Sequence, residues 1–591
     1  MKKFIEKLCD GVVKEWGMIV ALVLLAMPPM LFHSVFFGGL HSGFVNGFDM
    51  ELWRQLKYPI IDMGLLMLLV LVVVEIVHWI GKKWVKWVVY GFAVALATVR
   101  IWLWWVFRLR ISPSTLMLLF ETNSRETNEF TQIYLMNWNG VGLVGIILGL
   151  IGLCWLIEWA SRSVELKVTW RKIVIWLSVV CLIWGMIEIR WIVRLVECDK
   201  SEEVFTWKRE ACYDDYSYSA FNVQAILYSV ICNECVAGDI DQCGQTACRI
   251  EAGKNEVSCD NDSLVVVFVL GESYIKSHSG LYGYERNTTP LLQKEKEESK
   301  LYTFNDVVAP FTLTTDAVKT LFFTNDNSEI WCKEAFFPQL FKMAGFEVDM
   351  WDNQLFDKAN TTITFGMFAV LYNEKLRKMS YSNICDSHFT FDDTLVDDYK
   401  DKSFDLDCNR LVIFHLTGQH MDVPDRFPHT ADNLVFKGTD DKSEKIAMYD
   451  NACVYNDKVV AEIIDMVRDK KSVVVYFSDH GEEVYDYRDC YGRKAAEPGM
   501  EKEFLKYQAE VPFMIWCSDK YQEAYPEIIE DIKSSVDKPF IIDNVCQVMF
   551  HLAGLKSPWY KEERDLLSDK YKCGKRIVNG MYDYDEIMGR K

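Results

Sequence analysis

The sequence predicts two unlike halves: an N-terminal bundle of five transmembrane helices and a C-terminal α/β domain built on a mainly parallel central sheet. Three observations carry this reading. Five apolar stretches of about 20 residues follow one another before residue 197, each long enough to cross a hydrocarbon core of about 30 Å. From residue 263 onward, short β-branched runs alternate with helical patterns. The 591 residues also carry 84 acidic and 64 basic side chains, a net charge of −20. That balance excludes non-specific nucleic-acid binding, which needs a basic footprint. The segregated hydrophobicity excludes a soluble single-domain protein.

The spans fall at 16–37, 60–80, 84–107, 140–160 and 173–196, within a domain of residues 1–196. Pro28 and Pro29 should kink the first. It has no small-residue cleavage site and four more spans follow, so it reads as an anchor and not as a signal peptide. Basic residues orient the bundle. Lys2, Lys3, Lys7, Lys14, Lys82, Lys83, Lys86, Arg162, Lys167, Arg171 and Lys172 lie on one side, against Arg54, Lys57, Arg108, Arg110 and Arg125 on the other. Eleven against five puts the N-terminus in the cytoplasm and everything after about residue 197 outside. Glu75, His78, Arg100, Glu188 and Arg190 fall within or near spans but do not recur as a relay, so a transporter is the weaker reading.

Residues 197–262 form a polar connector with Cys198, Cys212, Cys232, Cys235, Cys243, Cys248 and Cys259. Cys232-Asn-Glu-Cys235 has the spacing of half a metal or redox site, but a second pair at zinc-ribbon spacing is missing. In an oxidising compartment disulfides are the expected use. Fifteen cysteines follow the last span, so one at least is left over or pairs between chains.

The third region, 263–591, opens with Leu264–Leu270, fully apolar and β-branched as a strand buried on both faces should be. Similar runs recur at Val348–Trp351, Leu411–His415, Ser472–Phe477 and Val511–Trp516, with helical patterns such as Lys445–Val467 and Ile541–Leu552 between them. Ligands of such a sheet sit beyond the carboxyl ends of its strands.

Two of those ends carry charge. The first strand runs into Gly271-Glu272-Ser273, and the SVVVYF strand into Ser478-Asp479-His480-Gly481-Glu482. Singly, each is an ordinary cap or turn. Together they form the O/O/N set that suits a zinc-like ion. A nucleophile is offered by Ala309-Pro310-Phe311-Thr312-Leu313-Thr314-Thr315-Asp316-Ala317, a Thr-rich turn into a helix whose N–H groups favour anionic phosphate. His415 and His420 leave another strand end towards the same face, where phosphate contacts or acid catalysis are open to them.

These residues resemble the membrane-bound phosphoethanolamine transferases of the alkaline phosphatase/sulfatase superfamily. The match runs in order: Gly271-Glu272-Ser273 with His278, Leu281-Tyr282-Gly283-Tyr284, Arg286 and Thr288-Thr289-Pro290; then Trp351-Asp352-Asn353-Gln354; His415 and His420; Ser478-Asp479-His480-Gly481-Glu482-Glu483; and Arg564-Asp565-Leu566-Leu567. The resemblance implies a sulfatase-like domain and a zinc ion held by Glu272, Thr314, Asp479 and His480, with Thr314 as nucleophile. Thr315 is the reserve choice and Thr312 a poor third. His420 is implied as catalytic. Thr122, Glu126, Asn353, Gln354, Lys358 and His415 are implied as substrate contacts, Thr122 and Glu126 through the run Glu121-Thr122-Asn123 with Glu126. Arg493 stands where relatives often have a histidine, and between Glu482 and His551 there is no histidine at all.

The function implied is transfer of phosphoethanolamine from phosphatidylethanolamine to a lipid A or lipopolysaccharide core acceptor, through a phospho-threonine intermediate. The chain would be a monomer in a bacterial inner membrane, with its catalytic domain in the periplasm. Added amines on an anionic surface lipid would weaken binding of cationic peptides such as polymyxin. Two other readings stand beside this one. The Thr314-Thr315-Asp316-Ala317 run also resembles lipoteichoic acid synthases, which move phosphoglycerol. A catalytically silent membrane-anchored binding protein is the third. No Cys/Ser-x-Pro-x-Arg motif occurs near Thr314, which argues against a sulfatase.

Overall fold

The computed structural model describes residues 12–26, 66–107, 130–136, 138–163, 241–326, 331–354, 373–385, 389–493 and 499–590, with a few isolated positions besides. The chain divides into two compact units, Met1–Cys235 and Val236–Lys591.

In the first unit four apolar helices are described: α1 (Trp16–Ala26), α2 (Leu66–Ile80), α3 (Lys83–Phe107) and α4 (Trp138–Ser163). By length and composition α3 and α4 can each cross a membrane, whereas α1 and α2 are shorter. The expected count of five rests on residues outside those described, above all 184–196. Met18, Ala21, Val74, Val94 and Cys154 pack in a core between the helices, while Trp84, Val88, Phe92, Val144 and Leu148 face outward. An apolar exterior is what a lipid-facing bundle needs. Of the charges read near the spans, Glu75 and Arg100 serve helix-to-helix bonds. Glu75 accepts from the Val12 N–H at 3.0 Å, and Arg100 donates to the Ala26 carbonyl at 2.9 Å. Lys86 lies 2.5 Å from both Glu15 and Glu158.

The second unit is built on a seven-stranded sheet. Its strands in chain order are β1 (Leu264–Gly271), β2 (Leu301–Thr303), β3 (Glu347–Asp352), β4 (Asn383–Cys385), β5 (Arg410–His415), β6 (Lys471–Ser478) and β7 (Phe513–Cys517). Across the sheet the order is β2-β7-β6-β1-β5-β3-β4. All eight residues of β1 are buried, as its LVVVFVLG sequence requires of a strand covered on both faces. Strands β6, β1, β5, β3 and β4 are mutually parallel. The expected mainly parallel character holds for six of the seven strands; β7 alone runs antiparallel to its neighbours β6 and β2, which makes the sheet mixed. Among the described residues the connection from β6 to β7 carries the short helix Glu501–Gln508, and the chain re-enters the sheet from the end it left.

Three helices matter below: α5 (Thr314–Leu321), α6 (Asp392–Asp401) and α7 (Asp441–Val467). The longest, α7, begins at a reciprocal cap in which Asp440 accepts from the Ser443 N–H and the Ser443 hydroxyl accepts from the Asp440 N–H. Tyr449, Val460 and Ile463 pack it into the main core beside β1 and β6. Of the connector cysteines, Cys248 and Cys259 carry free thiols, so the expected disulfides do not include those two. The Cys259 thiol instead donates to the Ala553 carbonyl at 3.2 Å. Cys198, Cys212, Cys232 and Cys235 lie outside the described residues.

Candidate active site

Parallel neighbours β1 and β6 end level with each other, Gly271 opposite Ser478. The next residue of β1 is Glu272, and the next two of β6 are Asp479 and His480. This register brings the three buried side chains together, with one ligand atom from each within 4.8 Å of the others. His480 Nε2 lies 3.3 Å from Glu272 Oε1 and 3.2 Å from Asp479 Oδ2. Thr314, the first residue of α5, donates its hydroxyl to Glu272 Oε2 at 2.9 Å and stands 3.1 Å from His480 Nε2.

The backbone beyond β1 is bent to make this possible. Ser273 has φ of +56°, a conformation a non-glycine residue adopts only under constraint. In it the Ser273 N–H donates to Asp479 Oδ1 (3.1 Å) and its hydroxyl to Glu272 Oε1 (2.8 Å). From α7, the Tyr449 hydroxyl donates to the Ser273 carbonyl at 2.6 Å. His480 Nδ1 is 2.8 Å from the Gly481 carbonyl. That bond fixes the ring with Nε2 facing the cluster.

The loop after β5 closes the other side. Gly418 is left-handed at φ +51°, and the Gln419 N–H donates to the Glu272 carbonyl at 2.9 Å. Buried Asp392, at the start of α6, holds this turn by accepting from the Thr417 and Gly418 N–H groups, both at 2.9 Å.

Burial acts first on every charge here. It would protonate Glu272, but the His480 charge and hydrogen bond outweigh it and hold Glu272 well below the usual carboxylate range. Burial and then the Glu272 charge push Asp479 up to about 6. His480 is pulled down by burial and raised overall by Asp479 and Glu272. Half-buried His420 is driven down to about 3 by burial, with Arg426 and Arg493 adding to the fall against the Glu272 charge.

Two carboxylates, an imidazole and a hydroxyl are the donor number and type of a four-coordinate zinc site. Among the described residues Asp479 Oδ2 is buried without a hydrogen-bond donor, so the group has an oxygen that a cation would satisfy.

The remaining expected site residues fall at different distances from this cluster. Gln354 touches it, donating to Glu272 Oε2 at 3.1 Å and to the Leu416 carbonyl at 2.8 Å. Asn353 stands one step behind: it donates to Asp392 at 2.8 Å and accepts from the Phe389 N–H at 2.9 Å. His415 is buried with Nδ1 3.0 Å from Asp352 Oδ1. Thr312 spends its hydroxyl on Asn579. Thr122, Glu126 and Lys358 lie outside the described residues. Arg493 reaches the cluster, its Nη1 3.0 Å from His480 Nε2. Sequence reasoning missed Ser273 and Asp392 as organisers of the site. The first was legible only as the residue after Glu272, and the second carried no signal.

A family model described as Sulfatase matches residues 265–549. Residues 265–549 are a sulfatase-family domain. The cluster lies within this sulfatase-family domain, at the carboxyl ends of β1 and β6. Over a longer stretch, the chain is 26% identical across 516 residues to the phosphoethanolamine transferase EptC of Escherichia coli O18:K1:H7 (strain RS218 / NMEC), covering 82% of this chain and 83% of that one. It is 30% identical across 291 residues to the Kdo(2)-lipid A phosphoethanolamine 7''-transferase of Escherichia coli (strain K12), covering 47% and 48%. Among solved structures, the integral membrane protein lipooligosaccharide phosphoethanolamine transferase A (EptA) from Neisseria meningitidis superposes with a TM-score of 0.56 at 18% identity, over 94% of this chain and 97% of that one. That likeness concerns the fold, and it extends through both units.

Proposed function

We propose that this chain transfers phosphoethanolamine from phosphatidylethanolamine to a lipid A or lipopolysaccharide core acceptor, by way of phospho-Thr314. The observation that carries the reading is the Thr314 hydroxyl, at a helix start and within 2.9 and 3.1 Å of Glu272 and His480. Curated relatives named as phosphoethanolamine transferases, one acting on Kdo(2)-lipid A, support the group transferred and the acceptor class.

In the first half-reaction Thr314 Oγ1 forms a bond to phosphorus while the bond from phosphorus to the diacylglycerol oxygen breaks. The Thr314 proton passes along its hydrogen bond to Glu272, and the diacylglycerol oxygen takes up a proton from solvent as it departs. In the second, an acceptor oxygen loses its proton to solvent as it bonds to phosphorus, the bond from phosphorus to Thr314 Oγ1 breaks, and Oγ1 takes back the proton held by Glu272. The N-terminal N–H groups of α5 favour the anionic phosphate. His420, neutral because its imidazolium is so disfavoured, offers an N–H to the transferring group. Arg493 and Gln354 flank the same pocket of charge. A zinc ion held by Glu272, Asp479, His480 and Thr314 would lower the pKa of the hydroxyl and stabilise charge on phosphorus oxygens.

The reading includes five spans, a cytoplasmic N-terminus and a periplasmic catalytic domain in an inner membrane. The basic-residue asymmetry and the apolar helices α3 and α4 support it. The test is headgroup discrimination by full-length protein in detergent with zinc. Fluorescent phosphatidylethanolamine should release diacylglycerol, and Thr314→Ala should stop it. Release from phosphatidylglycerol alone would replace this function with phosphoglycerol transfer, and release from neither by zinc-loaded protein would favour a silent binding protein.

A further inference from the structure

The sulfatase match ends at residue 549, yet the chain beyond it returns to the segment that delivers Thr314. Ile577–Val578 and Tyr582–Asp583 pair as an antiparallel hairpin. In its turn Asn579 and Gly580 are both left-handed, at φ +52° and +71°. Asn-Gly is the pair that tolerates this best. From the turn, Asn579 grips residues 310–312 three ways. Its N–H donates to the Pro310 carbonyl at 2.9 Å, its Oδ1 accepts from the Thr312 N–H at 3.0 Å, and its Nδ2 donates to Thr312 Oγ1 at 3.0 Å.

The hairpin is itself fixed to the start of the same segment. Fully buried Arg576 joins Asp306, at 2.7 Å, to Asp585, and Arg590 also reaches Asp306. The Tyr584 hydroxyl donates to Glu510 at 2.7 Å. Val578 and Tyr584 pack with Val308, Phe504 and Leu505 in a small core of their own. The tail therefore holds residues 306–312 at both ends, and Thr314 follows two residues later at the start of α5.

We propose that Asn579 is a positioning residue for the nucleophile: the C-terminal hairpin, outside the sulfatase match, sets where the Thr314 hydroxyl stands relative to Glu272 and His480. The inference rests on the reading of Thr314 given above. It concerns the chemical step and not substrate capture, because Asn579 acts on the backbone leading to Thr314. A displacement of about 1 Å of a reacting group costs as much as 100-fold in rate.

The test uses full-length protein in detergent, as wild type, Asn579→Gly, Asn579→Asp and Thr312→Val. Asn579→Gly keeps the left-handed turn and loses both side-chain bonds, whereas Asn579→Asp keeps the acceptor for the Thr312 N–H. For diacylglycerol release from fluorescent phosphatidylethanolamine, kcat of Asn579→Gly should fall about 10-fold or more with KM changed less than about threefold. Asn579→Asp should recover most of the loss, and Thr312→Val should fall in the same direction by less. Zinc content should stay at the wild-type value, and the apparent melting temperature should fall by no more than about 6 °C, the cost of one stranded donor. Amide hydrogen exchange should quicken at residues 311–317 in Asn579→Gly and nowhere else. Wild-type kcat in Asn579→Gly, unchanged exchange at 311–317, or a kcat lost only together with bound zinc would each overturn the proposal. Wild-type protein that releases no diacylglycerol would instead count against the donor reading, and the exchange comparison would still decide the clamp.

Discussion

Gly418 sits where the loop after β5 crosses the backbone of Glu272, and replacing it by alanine is a sharp test of how the site is held. Its φ is +51°, and a Cβ placed there would lie 2.8 Å from the Glu272 carbonyl oxygen and 2.9 Å from its nitrogen. Two costs follow. Holding an alanine left-handed costs about 1–2 kcal/mol. Forcing backbone away from backbone by a few tenths of an ångström adds an overpacking cost of about 1–3 kcal/mol. Together they come to about 3 kcal/mol, which at roughly 2 °C per kcal/mol for a domain of this size lowers the apparent melting temperature by about 6 °C. The strain also falls on Glu272 itself, through the bond from the Gln419 N–H to its carbonyl, so transfer activity should drop by about 10-fold or more. Tryptophan-monitored thermal unfolding and diacylglycerol release, both on full-length protein, read the two effects. Gly418→Asn separates the causes, because asparagine tolerates the left-handed region but keeps the Cβ. It should recover less than half of either loss. A Gly418→Ala protein with wild-type melting temperature and activity would refute the reasoning. Full recovery in Gly418→Asn would reduce it to backbone strain alone.

Three further outcomes are expected. Asp392→Ala strands the Thr417 and Gly418 N–H groups, and should cost about 3 kcal/mol or more in thermal unfolding at the buried-donor rate of about 1–3 kcal/mol each. His278 is pulled down by burial, but its hydrogen bonds to Asp450 and Asp486 outweigh this and raise it to about 9. Its contribution, up to about 3 kcal/mol, is therefore present in full below about 6.5 and lost as pH rises through about 9. The melting temperature of wild type should accordingly fall towards that of His278→Gln between those values, and a constant gap would contradict the assignment. In metal analysis of purified full-length protein, Glu272→Gln and Asp479→Asn should lose bound zinc, while Thr314→Ala, with three ligands left, should retain it. Equal zinc in all three would remove the metal from this site.

What the sequence made legible, and what it did not, follows from how far each signal travels along the chain. Glu272, Asp479 and His480 were readable because a parallel sheet delivers the residues after its strands to one edge, and both strands announce themselves by unbroken β-branched runs. Thr314 was readable as a helix start, though only its distance to Glu272 separates it from Thr312, whose hydroxyl Asn579 occupies. The direction of β7 was not readable, since FMIWC is equally apolar whichever way it runs. Asp392 looks like one more acid in an acidic stretch, and its grip on the Thr417 turn exists only because β5 and α6 meet in space. Asn579 lies 267 residues from Thr312, and no local pattern spans that gap. Ser273 is a serine after a glutamate until its φ of +56° is known.

The most direct test of the central claim is the mass of the protein itself after incubation with zinc and phosphatidylethanolamine in the absence of any acceptor. A phosphoethanolamine increment that maps by peptide sequencing to Thr314, and is absent from Thr314→Ala but present in Thr315→Ala, is the predicted result. An increment on Thr315, or diacylglycerol release with no increment on any residue, would contradict it.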